Sequence, residues 1–223
     1  MKKSSIFPIL LVGILLVITT VGCPAATTPT PAATTTPKPL VSNAKPVIYL
    51  YPKKEMEVHV SLEYMGELTC IYPVGAGSWT VTAYPDGRLI NHADGKEYSY
   101  LYWEGLSGTE FDFSKGFVVK GKDTAVFLQD KLAALGLTPR EYNEFIVFWL
   151  PQMQGNPYNL ISFQGIAHTS NAILNITPRP ESLLRVFMAY KALDEAVEVE
   201  PQVIPGFQRE GFTVIEWGGA FVP

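Results

Sequence analysis

LTPREYNEFIVFWLPQM, Leu137 to Met153, is the stretch whose reading decides the fold. Thr138 stands where a helix cap is wanted, Pro139 follows in the first helical position, and Glu141 comes three residues after the cap. That spacing is a capping box, in which the threonine oxygen takes an orphan amide and the glutamate reaches back to the cap amide. Leu137 and Tyr142 are spaced to staple the start of the helix. From Phe145 to Leu150 the helix is apolar on every side, and Pro151 is expected to end it. A short helix that is apolar all round is covered by protein or lies in a membrane. Capped ends and this length favour protein, so the expectation is a buried central helix with layers packed on it.

Working outward, Asp123 is placed to cap a preceding helix that carries Phe127, Leu128, Leu132 and Leu135 inward. Gly136 is expected to close it in a Schellman turn, setting Leu137 on Leu132. Upstream lies a run of strands. In Glu57–Tyr64 the residues Val58, Val60, Leu62 and Tyr64 alternate with polar ones, the mark of a half-buried strand. Leu68–Tyr72, Ser78–Tyr84, Arg88–Asn91, Glu97–Glu104 and Phe117–Lys120 follow. Pro85-Asp86-Gly87 and Ala93-Asp94-Gly95 supply the turn chemistry of an antiparallel meander. Downstream, strand patterns return at Tyr158–Phe163, Ala172–Thr177, Leu183–Tyr190 and Phe212–Trp217, with Asp194 to Pro205 as an acidic, proline-marked loop. These readings give one α+β domain over residues 45–219, with a tail at 220–223. It is mainly antiparallel β, arranged as two packed layers or one strongly curved sheet, with the helical pair inserted.

The first 22 residues read as a signal peptide: Lys2 and Lys3, then apolar Ile6 to Val21. Val21-Gly22-Cys23 resembles the end of a lipobox, which would make Cys23 a lipid anchor. Thr20 and Pro24 depart from that pattern, and cleavage near Ala25 or Ala26, or an uncleaved anchor, are the competing readings. Residues 23–44 then hold the anchor and a Thr/Pro-rich spacer, semi-rigid because its prolines favour extended conformations. The expected location is the outer face of the cytoplasmic membrane or the cell surface. Losing the signal removes two of 17 basic residues and none of 21 acids, so the exported part is acidic. Nucleic acid, which needs clustered positive charge, is not an expected partner. With Cys23 modified, Cys70 is a lone cysteine in an apolar strand, expected to be a small buried core residue.

KPVIYLYP, PDG, YSYLYWEG, EYNEFIVFWLP, YNLISF and LRVFMAYK occur in that order between Lys45 and Gly219. Together they resemble a family of uncharacterised exported microbial proteins with more distant eukaryotic relatives. The resemblance implies a single folded unit and carries over no activity, cofactor or catalytic residue.

Among residues able to carry chemistry, Tyr98, Tyr100, Tyr102 and Glu104 fall on one face if Glu97–Glu104 is a continuous strand. Such a row could stack on sugar rings, or it could simply pack. Glu104 and Glu216 each sit beside tryptophan at the end of an aromatic strand. Held about 5–9 Å apart, they or Glu104 with Asp112 would suit glycoside hydrolysis. The simpler expectation is that each acid pairs with a base. Arg185, inside the apolar run Leu183–Tyr190, needs a carboxylate to offset its desolvation and is the natural partner; in an open cleft it would instead bind an anion. His59 lies near Glu57 and Glu63, His92 is in a turn, and His168 is in a loop with Thr169 and Ser170. None has zinc-ligand spacing, and no cofactor or metal is expected. Asn175-Ile176-Thr177 matches a glycosylation sequon within an expected strand. The functional expectation is a non-enzymatic binding or structural module of the envelope, meeting cell-wall glycan or an envelope protein, with a glycan hydrolase as the alternative.

Overall fold

The structure is a computed structural model, and it describes residues 40–223. Of these, 46% are strand and 19% helix, which makes the fold α+β and mainly β. The chain opens with β1 (Val41–Tyr51), β2 (Met56–Tyr64), β3 (Glu67–Tyr72) and β4 (Ser78–Ala83), followed by β5 (Leu89–Asn91), β6 (Glu97–Tyr98), β7 (Leu101–Ser107) and β8 (Lys115–Lys120). The helical pair comes next, α1 (Thr124–Ala134) and α2 (Pro139–Met153). After β9 (Tyr158–Phe163) stand the short α3 (Ile166–Asn171) and β10 (Ala172–Thr177). The chain ends through β11 (Ser182–Leu193), the two-residue β12 (Glu200–Pro201) and β13 (Thr213–Phe221).

Two sheets form. The larger has the order β12-β8-β9-β11-β13-β1-β7-β3, and the smaller β10-β2-β4-β5-β6. Most pairings are antiparallel; β11 with β13 and β12 with β8 are parallel. The expected meander is therefore only half right. β2, β4, β5 and β6 run as neighbours, but β3 crosses to the larger sheet and pairs with β7.

The larger sheet is the middle layer. On one face Val47 and Tyr49 of β1, Ile215 and Trp217 of β13, and Val186, Met188 and Tyr190 of β11 pack against Leu128, Leu132, Phe145, Trp149 and Met153 of the helices. On the other, Ile48, Leu50, Val214, Leu101 and Trp103 pack against Val58, Val60, Trp79, Val81 and Leu89 of the smaller sheet. A strand covered on both faces reads as an unbroken apolar run. That is why Val47–Leu50 is apolar without alternation.

This layering corrects the reading of α2. The helix buries a single stripe, Glu141, Phe145, Trp149 and Met153, while Val147 on the opposite side is 72% exposed. The central element is sheet, and α2 belongs to an outer layer. Nor does Pro151 stop it; the helix continues to Met153. Proline there frees the carbonyl of residue 147, which belongs to the exposed side of the helix. Among the described residues no helix is long and apolar enough to cross a membrane.

The helix ends behave as their local chemistry requires. Glu141 Oε2 accepts from the Thr138 amide at 2.8 Å, the glutamate half of the capping box. The same carboxylate, fully buried, pairs with Arg209. Asp123 occupies the position before α1 but makes no side-chain cap bond. Gly136, at φ 101°, closes α1 with Leu137 N–H donating to the Leu132 carbonyl and Gly136 N–H to that of Ala133, both at 3.0 Å. A Cβ on Gly136 would stand 2.9 Å from the Phe207 Cβ. Gly136→Ala is accordingly expected to cost about 1–3 kcal/mol, read by equilibrium denaturation; an unchanged midpoint would mean the turn tolerates a side chain.

Candidate functional site

The strongest convergence of ionisable groups lies between the two sheets. Parallel pairing sets Arg185 of β11 directly beside Glu216 of β13. Arg185 Nε donates to Glu216 Oε2 at 2.6 Å, and its Nη1 donates to the Ala172 carbonyl at 2.7 Å. α3 lowers His168 onto the same carboxylate, with Nε2 2.9 Å from Oε2, and Trp103 Nε1 donates to Oε1 at 3.2 Å. The imidazole is sandwiched between Phe187, 4.2 Å between ring centres, and Trp103, 6.1 Å. Nε2 lies 2.9 Å from that carboxylate oxygen and 3.3 Å from Arg185 Nη2; since a carboxylate only accepts, the closer contact puts the proton on Nε2, and Nδ1 is left buried without a partner in the protein.

Burial pushes the His168 pKa below its ordinary value, against the pull of Glu216 in the other direction, so the ring is neutral. Burial alone would raise the Glu216 carboxyl. The Arg185 guanidinium, His168 and the hydrogen bonds from both together outweigh it and hold the group well below the ordinary carboxylate range. A carboxylate–imidazole pair of this kind is a general base where solvent or substrate reaches it. Here the Glu216 side chain is 1% exposed and that of His168 2%. The cluster is closed to solvent.

The expected pairing of Arg185 with Glu216 is thus present, and the anion-binding alternative for Arg185 has no open cleft to serve. The proposed glycosidase pair is not assembled. Trp103, bonded to Glu216, faces the smaller sheet, so its neighbour Glu104 faces the opposite way, as do Tyr100 and Tyr102, which pack with the helix-side core. Glu104 and Glu216 project from opposite faces of one sheet. Glu104 instead accepts from the backbone amide of Lys45 at 3.0 Å, where a bulge in β1 puts Lys45 at φ 59°. Asp112 is exposed, accepting from the Ser114 amide at 2.8 Å, which together with the Ser114 hydroxyl depresses its pKa.

The tyrosine row is also undone. Glu97–Glu104 is not one strand: β6 belongs to the smaller sheet and β7 to the larger, with the switch at Ser99 and Tyr100. Tyr98 donates its hydroxyl to Asp94 at 2.6 Å and packs on Tyr72. Tyr100 and Tyr102 hold the Lys45 ammonium, 5.2 Å and 5.3 Å from their ring centres. A platform already taken by the chain's own cation offers its rings poorly to a sugar. Burial, then the nearby Glu104, raises the Tyr102 phenol well above its ordinary value.

The other candidates are dispersed. Cys70 is exposed, not buried, because β3 lies at the sheet edge and turns it outward beside Glu104. His59 bonds Thr80 and lies near Ser78, while Glu57 leans to His92 and Glu63 to Asn175 of the sequon, so no metal cage forms from them. Cys23, the signal and the spacer up to residue 39 lie outside the described residues; residues 41–44, read as spacer, instead begin β1, and residues 220 and 221, read as tail, end β13.

Open recesses lie elsewhere. A trough runs along β8, where two adjoining cavities of about 730 and 720 Å³ share Val118, Val119, Phe127 and Val197 as lining.

One curated protein, the "Uncharacterized protein in bglA 3'region" of Butyrivibrio fibrisolvens, is 45% identical to this chain over 64 residues. The match covers 27% of this chain and 65% of that protein, so the chain spans just under two thirds of the relative's length. No protein-family profile matches the chain, and no solved structure matches it.

Two features escaped the sequence. His168 sits in a polar loop pattern, and only the three-dimensional approach of α3 brings it to Glu216. The trough joins β8 and the start of α1 to residues 196–201, which are far from both in sequence. The one sequence sign of it is the cluster of acids between Asp194 and Glu200.

Proposed function

We propose that this protein is a non-enzymatic binding module of the cell envelope, held outside the cytoplasmic membrane by its N-terminal segment. The observation that carries the reading is the contrast between its two polar regions. The acid, base and guanidinium that converge do so in a sealed interior, whereas the open recess is walled by hydrophobic side chains and fringed by carboxylates. A surface of the second kind is suited to recognition. Export is supported by the signal-like first 22 residues and the Thr/Pro-rich stretch, which would present the folded unit away from the bilayer. The hydrolase alternative loses its Glu104–Glu216 pair to the opposed faces of the sheet.

Detergent partitioning of the natural chain against Cys23→Ala, with fractionation of cells, tests the location. The natural chain is expected in the membrane fraction and the variant released from it; recovery of the natural chain in the cytosol would end the envelope reading. Screening the full chain against envelope polysaccharides, peptides and metal ions tests the activity. Failure to bind any of them would leave the binding role without foundation.

A further inference from the structure

We propose that the outer edge of β8 is a docking site for an extended, basic peptide segment of a partner protein, which adds a strand beside Phe117–Lys120. The inference rests on the binding-module reading and gives its ligand a chemical class.

On its inner side β8 is paired with β9 along this length, from Phe117 opposite Ile161 to Lys120 opposite Tyr158. On its outer side only Lys115 and Gly116 have partners, Glu200 and Pro201 of β12. A strand paired on one side points alternate N–H and C=O groups away from the sheet, a template for another chain. The fold blocks that template next door. The side-chain amide of Gln202 stands in for a strand beside Phe163, accepting from its N–H at 2.8 Å and donating to its carbonyl at 2.7 Å. The Lys115–Glu200 ion pair, at 2.6 Å, fastens β12 in place. Past Gly116 this protection ends and the trough begins.

The trough has the character of a peptide slot. Phe117, Val118, Val126, Phe127 and Val197 wall it, which suits the alternate apolar side chains of an added strand. Its rim carries Asp123, Asp130 and Glu198, none with an ion-pair partner among the described residues, against two bases, Lys120 and Lys131, the latter with its ammonium over the Phe117 and Phe127 rings, 5.0 and 5.9 Å from their centres. That imbalance selects a basic occupant and sets like charge against like if a second copy approaches. The Thr/Pro-rich stretch before Leu40 is a poor occupant, since its prolines lack the amides a ladder needs.

The test uses the full chain in detergent. Calorimetric titration is made with a peptide of about ten residues alternating valine and lysine, long enough to span the open edge. The comparison peptides are the same sequence N-methylated at alternate amides and its valine–glutamate counterpart. Expected are binding of the valine–lysine peptide, slowed amide exchange at Phe117–Lys120, about thirtyfold weaker binding of the N-methylated form, and no binding of the acidic one. Glu198→Lys and Asp130→Lys should each weaken binding about fivefold without moving the unfolding transition. Binding without slowed exchange at β8, equal binding of the N-methylated peptide, no peptide binding, or self-association through β8 would each overturn the proposal. A chain that binds polysaccharide but no peptide overturns this inference and leaves the envelope-binding role standing. A cytosolic chain that takes the peptide does the reverse.

Discussion

Replacing Arg185 by leucine is expected to destabilise the fold by about 3–5 kcal/mol, the usual cost of stranding one member of a buried ion pair. It should also invert the response of stability to pH. In the natural protein the folded pKa of Glu216 lies below its ordinary value of 4.5 and that of His168 below 6.5. Both groups therefore bind fewer protons folded than unfolded. Their contribution is complete above the unfolded values and fades as pH falls, first through the histidine range and then through the carboxylate range. Without the guanidinium, nothing balances a bare carboxylate in that closed space. A proton must enter in its stead, on Glu216 or on the imidazole bonded to it. Folding then takes up a proton, and stability falls as pH rises through neutrality. Urea unfolding of both proteins between about pH 4 and pH 8 checks this. Parallel profiles would show that Arg185 is not what keeps Glu216 charged.

The second large effect lies in α2. Trp149→Ala is expected to cost about 3–5 kcal/mol, because a buried indole leaves a cavity that a two-layer contact cannot collapse. Trp149 packs on Phe145, Phe148 and Tyr190, and a Cβ on Gly219 would come within 2.7 Å of it. The glycine is what lets the ring settle onto β13. Val147→Lys, two residues away on the wet side, should change stability by less than about 0.5 kcal/mol. Comparable losses at both positions would mean that the helix is covered on all sides after all. Equilibrium unfolding of the two variants side by side gives the answer.

That contrast also shows where sequence reading stopped. The helix start at Thr138 and Glu141, the glycine stop at Gly136 and the Pro85–Gly87 turn were legible, because each is decided by atoms within a few residues. The order of layers was not. Phe145 to Leu150 looked apolar all round, but single hydrophobic residues are common at surfaces, and Val147 is one. The strand Glu97–Glu104 looked continuous because alternation survives Ser99, although the backbone there changes sheets. Arg185 with Glu216 was foreseeable, since a guanidinium in an apolar strand needs a carboxylate. That Glu104 and Glu216 face apart was not, for which face each strand turns to the helices is decided by the packing of the two sheets.

The position of β1 has a mechanical consequence. It is the first strand after Leu40, and it is held between β13 on one side and β7 on the other, both antiparallel. A pull on the chain at Val41 runs along the strand, at right angles to the bonds that hold it. Those bonds are loaded together in shear and cannot be unzipped one at a time from an edge. Any drag transmitted from the N-terminal side meets a seam bonded on both edges first.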